Sequence, residues 1–561
     1  MENKKEEKSI KTSVHNQTEN EEAEEDSIFW ADKLAEKIIA RRKFFYSDRE
    51  FPKRSEFVVK TSASISGVLH IGRLSDTIRG DSVYRALKDS KVKARFIWVA
   101  EDMDPLRKVP KGVPEDYVKY IGMPITSVPD PDGCHKSYAE HHKSEYMKVI
   151  KQFVHEDMEI YSMQEEYDRG SFKPYIKKAM ENIDRIKEIA GKYRTTPLQK
   201  GWSPWVPICQ KCGKISTTKI TEVKDGLVHY ECSDYDFETQ KAVGCGYKGV
   251  ADPLKDKGKL MWKSEWAAQW ARWNICTEGA GKEYQVPLSA FWTNGEITEN
   301  VFDFPMPDPI FYEHLMIDGT KMSASLGNIV YPRDWLEVAT PELLRYFYNK
   351  RLMKTRSFSW KDLPQMYDEF DQLERVHSGI EKPENEKDEK HLKRLYEISV
   401  KKEENPLSMS FSHASVLAQI FQEKEGIIAS LRKTGQYRKE QEERIMQRIE
   451  KAKYWVTHYA PEESRFTVQE RVNPEIKLSP EQKHSLKAVA KILSENHGSE
   501  KEFSEKMYNA VKATGLQTKE FFRAGYLVLL NRERGPRLAP FLLALGERAA
   551  KLFEEASNQS A

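Results

Sequence analysis

The sequence predicts a doubly wound α/β domain that carries an inserted module and is followed by an all-helical region. Three observations lead there. An apolar strand at Glu56–Lys60 runs into the Ser/Gly-rich turn TSASISG, then His70-Ile71-Gly72-Arg73, then a helix from about Leu74 to Lys88, and a second strand, ARFIWV, ends in Glu101 and Asp102. That order is a β–turn–α–β unit, whose parallel strands need a crossover helix. Four of the six cysteines fall between Cys209 and Cys245. Beyond Tyr331 the apolar spacing is helical almost to the end.

The boundaries follow in chain order. Residues 1–27 have no apolar run and read as a disordered, mixed-charge tail without a secretory signal. Helical spacing begins with WADKLAEKIIARR. Residues 28–330 form the α/β domain, with a charged, helix-rich insert at about 105–207 and a cysteine module at about 208–252. Residues 331–377 read as a helical junction, Ser378–Lys390 as a charged linker, and 391–561 as a helical domain, in which two amphipathic helices flank ERGPR. A chain of 561 residues exceeds one ordinary core. No stretch approaches the ~20 apolar residues of a membrane span, so the expected location is cytoplasmic. With 90 Lys+Arg against 88 Asp+Glu, net charge is silent about nucleic acid, and only a local basic face could serve it.

Two segments carry nucleotide chemistry. His70 opens a helix after a strand and turn, where free N–H groups and a partial positive charge suit phosphate oxygens. Gly72 has no Cβ, so a nucleotide can lie on the backbone. Alone, this pattern also fits an ordinary helix start. Lys321-Met322-Ser323-Ala324-Ser325 follows a strand-like stretch, and a lysine with two hydroxyls in a closing loop can neutralise a departing pyrophosphate. A Ser-rich turn is the plain alternative for the loop by itself.

Together the pair resembles the HIGH and KMSKS signatures of class I aminoacyl-tRNA synthetases, with Arg73 and Ala324 at the two varied positions. The resemblance narrows to class I lysyl-tRNA synthetases over Trp30 to about Leu545. Its most specific stretch is KVPKGVPEDYVKYIGMPITSVPDPDGCHKSYAEHH, supported by WADKLAEKII near the start and NRERGPRLAPF near the end. It implies a Rossmann-like catalytic domain with a connective insert, and an α-helical anticodon-binding domain. It also implies ATP, magnesium, lysine and tRNA(Lys) as cofactors and partners. His70, Gly72, Lys321, Ser323 and Ser325 would stabilise charge on the phosphates, with Arg73 and Met322 completing the ATP site. The lysine carboxylate would attack the α-phosphorus, and the 2′-OH of the terminal adenosine would then take the lysyl group.

A cationic substrate needs carboxylates in place of its water. Glu101 and Asp102 stand at the carboxyl end of a strand, where open α/β sheets bind ligands, although acidic residues there also cap helices. The resemblance maps Ser62 and Ser64 onto the family's substrate-binding glycine and threonine, Ser62 being a departure. Tyr312 maps onto a pocket aromatic, with a core tyrosine as the alternative. Gly281-Lys282-Glu283-Tyr284 stands where family members have a GKDH-like run, so the histidine is missing.

Cys209-x-x-Cys212 with Cys232 and Cys245 offers four thiolates for a structural, tetrahedral zinc. The second pair is loosely spaced and leaves His229 as a possible substitute. Cys134 and Cys276 read as reduced core thiols. Arg532, Arg534 and Arg537 around Gly535-Pro536 fit either RNA contact or a salt-bridged turn. Competing readings are another class I synthetase such as a glutamyl-type enzyme, whose anionic substrate would need Arg or Lys near Glu101, a related nucleotidyltransferase, or a non-catalytic relative.

Overall fold

In the computed structural model the described residues are 29–65, 67, 69–110, 112–155, 158–199, 201–322, 327–495 and 499–559. The expected disordered tail lies outside them. The chain forms two compact units. The first comprises residues up to 332 together with 344–357 and 385–401, and the second comprises 333–343, 358–384 and 402 onwards.

The first unit is built on five parallel strands. Helix α1 (Trp30–Ala40) precedes β1 (Phe57–Ala63), α2 (Ile71–Asp89) and β2 (Ala94–Ala100). The chain then passes through α3 (Tyr138–Phe153) to β3 (Glu159–Ser162). Later come α4 (Trp262–Arg272), β4 (Ile275–Gly281), α5 (Ala290–Val301) and β5 (Asp308–Tyr312). The strand order is β5-β4-β1-β2-β3, every pair parallel. The order reverses between β1 and β4. Such a switch point leaves a crevice beyond the carboxyl ends of the two strands, which is where doubly wound sheets take ligands. His70 opens the helix after β1, and Gly281 ends β4.

β3 corrects the expected insert, because residues 159–162 return to the central sheet. Four residues at the sheet edge, two of them exposed, give no apolar run to read. Within the insert, helices Lys173–Glu181 and Ile183–Lys192 bury Ile176, Ile186 and Ile189 in the core that covers one sheet face. The cysteine module is a small antiparallel sheet (Thr218–Lys224, Leu227–Cys232, Lys248–Ala251), closed at its base by Trp205–Pro207 pairing with Gly258–Leu260.

The expected boundaries after residue 331 are also corrected. Residues 344–357 belong to the first unit. Asn349 accepts Trp30 Nε1–H at its backbone (2.9 Å) and the Ser82 hydroxyl at its side chain (2.9 Å). The predicted linker Ser378–Lys390 is not a linker throughout. Asn385 caps helix α6 (Glu386–Ser399) through Asp388 N–H (2.8 Å). Its abundance of Glu and Lys suits an exposed helix face as well as a coil, so composition alone could not separate them. Arg394 of α6 reaches Asp32 of α1 (2.7 and 2.9 Å) and Asp89 at the end of α2 (2.8 Å).

The second unit is helical apart from the short strand Arg356–Phe358, which straddles its edge. One of its cores is drawn mainly from helices between Pro480 and Asn558, and a second group of buried side chains comes from helices Leu363–His377, Phe411–Ile420 and Glu442–His458. The segment after ERGPR is two helices, Leu538–Leu545 and Glu547–Asn558, because Gly546 takes φ +53° and breaks the run. No described helix is long and apolar enough to cross a membrane.

Replacing Arg394 by Ala should lower the stability of the first unit by about 1–3 kcal/mol, the range for charged hydrogen bonds at a partly exposed site. Chemical denaturation followed by tryptophan fluorescence measures this. An unchanged midpoint would mean that α6 is not held there.

Candidate functional site

The α2 helix begins at the crevice because the β1 turn delivers His70 in extended backbone and Ile71 as the first helical residue. Its opening is tied from two sides. Ile71 N–H donates to Val330 O (3.0 Å), and Ile71 O accepts the Tyr348 hydroxyl (2.9 Å). Val330 lies just beyond the KMSAS segment in the chain. Met322 completes the approach. A Cβ on Gly72 would stand 2.5 Å from Met322 Cε and 3.0 Å from His70 Nδ1. Only glycine permits this closeness.

The two signature segments therefore meet. Lys321 is exposed on the hairpin strand Thr320–Lys321, where its carbonyl accepts Asn328 Nδ2–H (3.2 Å). Ser323 and Ser325 lie outside the described residues. His70 is largely buried, its pKa is lowered to about 4 by desolvation and then by Arg73, and its Nδ1 has no partner among the described residues. The ring is thus neutral at physiological pH and keeps one N–H to donate. Arg73 bonds back to Ser64 O (2.9 Å), bracing the turn rather than reaching into open space.

Beneath this opening lies a buried charge network. Lys60, in the middle of β1, is 0% exposed and pairs with Glu278, its register partner on β4. Trp266 Nε1–H (2.8 Å) and Trp270 Nε1–H, both from α4, also donate to Glu278. Beside it, Asp76 of α2 points at β4. A Cβ on Gly279 would lie 1.8 Å from Asp76 Oδ1 and 3.5 Å from the Tyr312 ring. Burial first, and then the Glu278 charge, raise Asp76 to a pKa of about 7, while Lys60 and the Ser62 backbone N–H pull it down. Asp76 Oδ1 has no hydrogen-bond partner among the described residues. Arg79 lies over the rings of Tyr312 (4.7 Å) and Tyr348 (5.0 Å), fixing the wall of the same cleft.

The other expected acids are engaged elsewhere. Asp102 accepts the Ser162 hydroxyl (2.5 Å) and Gln164 N–H (2.9 Å), so it orders the short helix Met163–Asp168 after β3. Glu101 accepts both bonds from Gln269 Nε2 (3.1 and 3.2 Å). Burial pushes its pKa to about 8 against the pull of Lys60, with Glu265 and Asp104 raising it further. Lys259 pairs with Glu265 (2.8 Å) and Asp104 (3.4 Å), so this corner is already balanced by the chain's own lysines. Ser62 and Ser64 sit partly buried at the end of β1 and in its turn. Asp76 and Lys60 were missed by the sequence reading. A charged residue within an apolar strand was the available signal for Lys60, and a lone acid within a helix gives none.

Tyr284 packs edge-on against Trp266 (5.4 Å), and its carbonyl accepts the Ser289 hydroxyl (2.6 Å). The imidazole beside Glu283 comes instead from His314, whose Nε2 lies 2.8 Å from Glu283 Oε2.

Among the described residues, two groups of side chains could hold a metal ion. Cys209, Cys212, Cys232 and Cys245 bring their sulfurs within 4.8 Å of one another, with Cys209–Cys245 at 3.7 Å and Cys212–Cys232 at 3.6 Å. Tetrahedral bonds of about 2.3 Å to zinc place sulfurs roughly 3.8 Å apart. His229 is excluded, because it alternates to the opposite face of its strand from Cys232. Asp130, Cys134, His135 and His141 form the second group. Cys134 Sγ stands 3.0 Å from His135 Nδ1, 3.3 Å from His141 Nδ1 and 3.2 Å from Asp130 Oδ2. Cys134 is exposed, which corrects its reading as a core thiol. The D-x3-C-H-x5-H spacing was the missed signal. Cys276 is a buried core thiol donating to Val58 O (3.2 Å), as expected.

The description "tRNA synthetases class I (K)" belongs to the family model that matches residues 28–402. The chain is a member of this family. The lysine–tRNA ligase of Thermococcus kodakarensis is 35% identical over 92% of this chain and 97% of its own length. That of Pyrococcus horikoshii is 34% identical with the same coverage, and that of Methanosphaera stadtmanae is 31% identical, again over 92% and 97%.

Exchanging Glu278 for Gln strands Lys60 in the core, and should cost about 3–5 kcal/mol, as for other broken buried pairs. Thermal and denaturant unfolding would read this. A loss below 1 kcal/mol would mean that water reaches Lys60.

Proposed function

We propose that the chain is a lysine–tRNA ligase that makes lysyl-adenylate at the β1/β4 crevice and transfers lysine to the 2′-OH of the terminal adenosine of tRNA(Lys). The contact of Met322 with Gly72 carries this reading, since it brings both phosphate-handling segments to the mouth of one cleft.

The roles follow from chemistry. His70, neutral with an N–H to give, and the glycine-opened start of α2 receive phosphate oxygens. Lys321, with the hydroxyls of Ser323 and Ser325, closes from the hairpin and offsets charge on the leaving pyrophosphate. Magnesium would ride on the nucleotide's phosphates and lower their charge. Positioning and electrostatics suffice, so no side-chain base is required. Asp76 is the carboxylate left to meet the substrate's ammonium group, with Tyr312 as the apolar wall beside it and Ser62 and Ser64 at the end holding the α-amino acid moiety. This moves the cation-binding role from Glu101 and Asp102 to Asp76, because burial pushes Glu101 to a pKa of about 8 and Gln269 already occupies both its oxygens. An anionic substrate is disfavoured next to Asp76, which argues against the glutamyl-type alternative.

The four-cysteine cluster fits structural zinc, whose binding would fold a module with little core of its own. The Asp130 group fits a second zinc with mixed ligands. The helical second unit is the part that would bind the anticodon arm.

Aminoacylation of total tRNA with each of the twenty amino acids tests the reading; lysine alone should be charged, and charging of glutamate instead would reverse it. Lys321→Ala should slow lysine-dependent ATP–pyrophosphate exchange, measured with tRNA present, by two orders of magnitude or more. A rate within threefold of wild type would remove the loop from catalysis. Asp76 gives a pH test. A carboxylate with a pKa near 7 binds a cation fully above that pH and loses affinity below it. KM for lysine should therefore fall as pH rises through about 7. Asp76→Asn should raise it roughly 10–100-fold, the range for a charged hydrogen bond, and flatten the profile. A wild-type profile already flat between pH 6 and 8 would exclude Asp76.

A further inference from the structure

Strands β4 and β5 leave the sheet side by side, with Gly281 in register with Tyr312. Their backbone pairing stops there. The next two residues of each strand are joined by side chains instead. Lys282 Nζ meets Glu313 Oε2 at 3.0 Å, and His314 Nε2–H donates to Glu283 Oε2 at 2.8 Å. The charges alternate along both segments, so a slip of one residue would set Glu283 against Glu313. The phosphate chemistry above gives these two pairs no role.

The end of β4 is built to receive the second pair. A Cβ on Gly281 would stand 2.7 Å from Glu283 Oε2 and 2.8 Å from Oε1, so the carboxylate lies back over the glycine. Gly281 has φ −61° and ψ 160°, which any residue can adopt. The glycine is therefore needed for the space above it and not for its backbone. His314 meets the carboxylate there. The pair is partly exposed, at 29% for His314 and 53% for Glu283, so it contributes little to overall stability. What it can fix is position.

His314 leads from β5 into the hairpin that carries Lys321. Leu315–Ile317 pairs with Thr320–Lys321 across a tight turn at Asp318-Gly319, where φ is +47° and +78°. At the tip, Gly319 N–H donates to Ser357 Oγ (2.7 Å). At the root, His314 is tied to Glu283. Lys321 lies opposite Met316, between these two fastenings. A shift at the root is thus passed along the hairpin to Lys321. An imidazole on a short stem holds the backbone more closely than the flexible four-carbon stem of Lys282 can.

We propose that His314 is a positioning residue for lysine activation: tied to Glu283, it sets the root of the hairpin so that Lys321 reaches the leaving pyrophosphate. The inference rests on the lysine–tRNA ligase reading of the chain. It adds to that reading a device for aiming the lysine.

Double-mutant cycles in the full-length chain test it, read by lysine-dependent ATP–pyrophosphate exchange with tRNA present. His314→Ala should lower kcat about tenfold, since a small misplacement of a charge-stabilising group is costly. KM for lysine and for ATP should stay within about twofold, and the denaturation midpoint should not move. His314→Gln, which keeps an N–H for Glu283, should recover most of the loss. Glu283→Ala should match His314→Ala, and the two together should cost no more than either alone. In a Lys321→Ala background, His314→Ala should change the rate by less than about twofold, because nothing is left to aim. Transfer of lysine from preformed lysyl-adenylate to tRNA should also be unchanged in His314→Ala, since pyrophosphate has already left. Three results each overturn the inference and leave the ligase reading intact: a kcat within about twofold of wild type in His314→Ala, a loss that persists in full without Lys321, or a raised KM for ATP in place of a lowered kcat. A wild-type chain without lysine-dependent exchange removes both.

Discussion

The buried pair between Lys60 and Glu278 is the constraint on which the first unit depends. It joins β1 to β4 at the switch point of the sheet, inside the core, where neither charge reaches water. Two charges are tolerated there only because each is met by the other and because Trp266 and Trp270 supply further hydrogen bonds to Glu278. Any slip of β4 against β1 would leave a bare charge on each side. The register is thereby fixed, and with it the height at which α2 begins, the position of Gly279 below Asp76, and the place where β5 delivers Tyr312.

The same pair governs the electrostatics of the cleft. Glu278 raises Asp76 while Lys60 draws it down, so the carboxylate sits near neutrality. Lys60 also draws Glu101 down against its burial. The cleft thus holds more acids than lysines, and Asp76 Oδ1 has no hydrogen-bond partner among the described residues. Tyr312, held by Arg79, gives the cleft a rigid wall.

Much of the architecture was legible in the residues. Strand β1, helix α2 and strand β2 were readable because apolar runs, a Ser/Gly turn and helical spacing are all local signals. The Cys209–Cys245 cluster was readable because a C-x-x-C pair is a local geometry. Edge strand β3 was not, since four residues with two exposed carry no periodicity. Helix α6 was not, because a charged helix lying on a neighbour through Arg394 has the composition of a linker. The Asp130 group is not legible from Cys134 alone, because its signal is spread over the aspartate four residues before it, the histidine next to it and His141.

The sequence by itself determined the chemistry available: which residues can hold phosphate, thiolate-bound metal or a cation, and that a parallel sheet would bring them to one edge. Tertiary structure decided which carboxylate oxygen stays without a hydrogen-bond partner among the described residues. Asp102 and Asp76 are equally acidic as residues, but Asp102 is consumed by the Ser162 hydroxyl and Gln164 N–H, whereas Asp76 is buried against a glycine with an oxygen to spare. That difference arises from hydrogen-bond partners far away in the chain, and no local pattern encodes them.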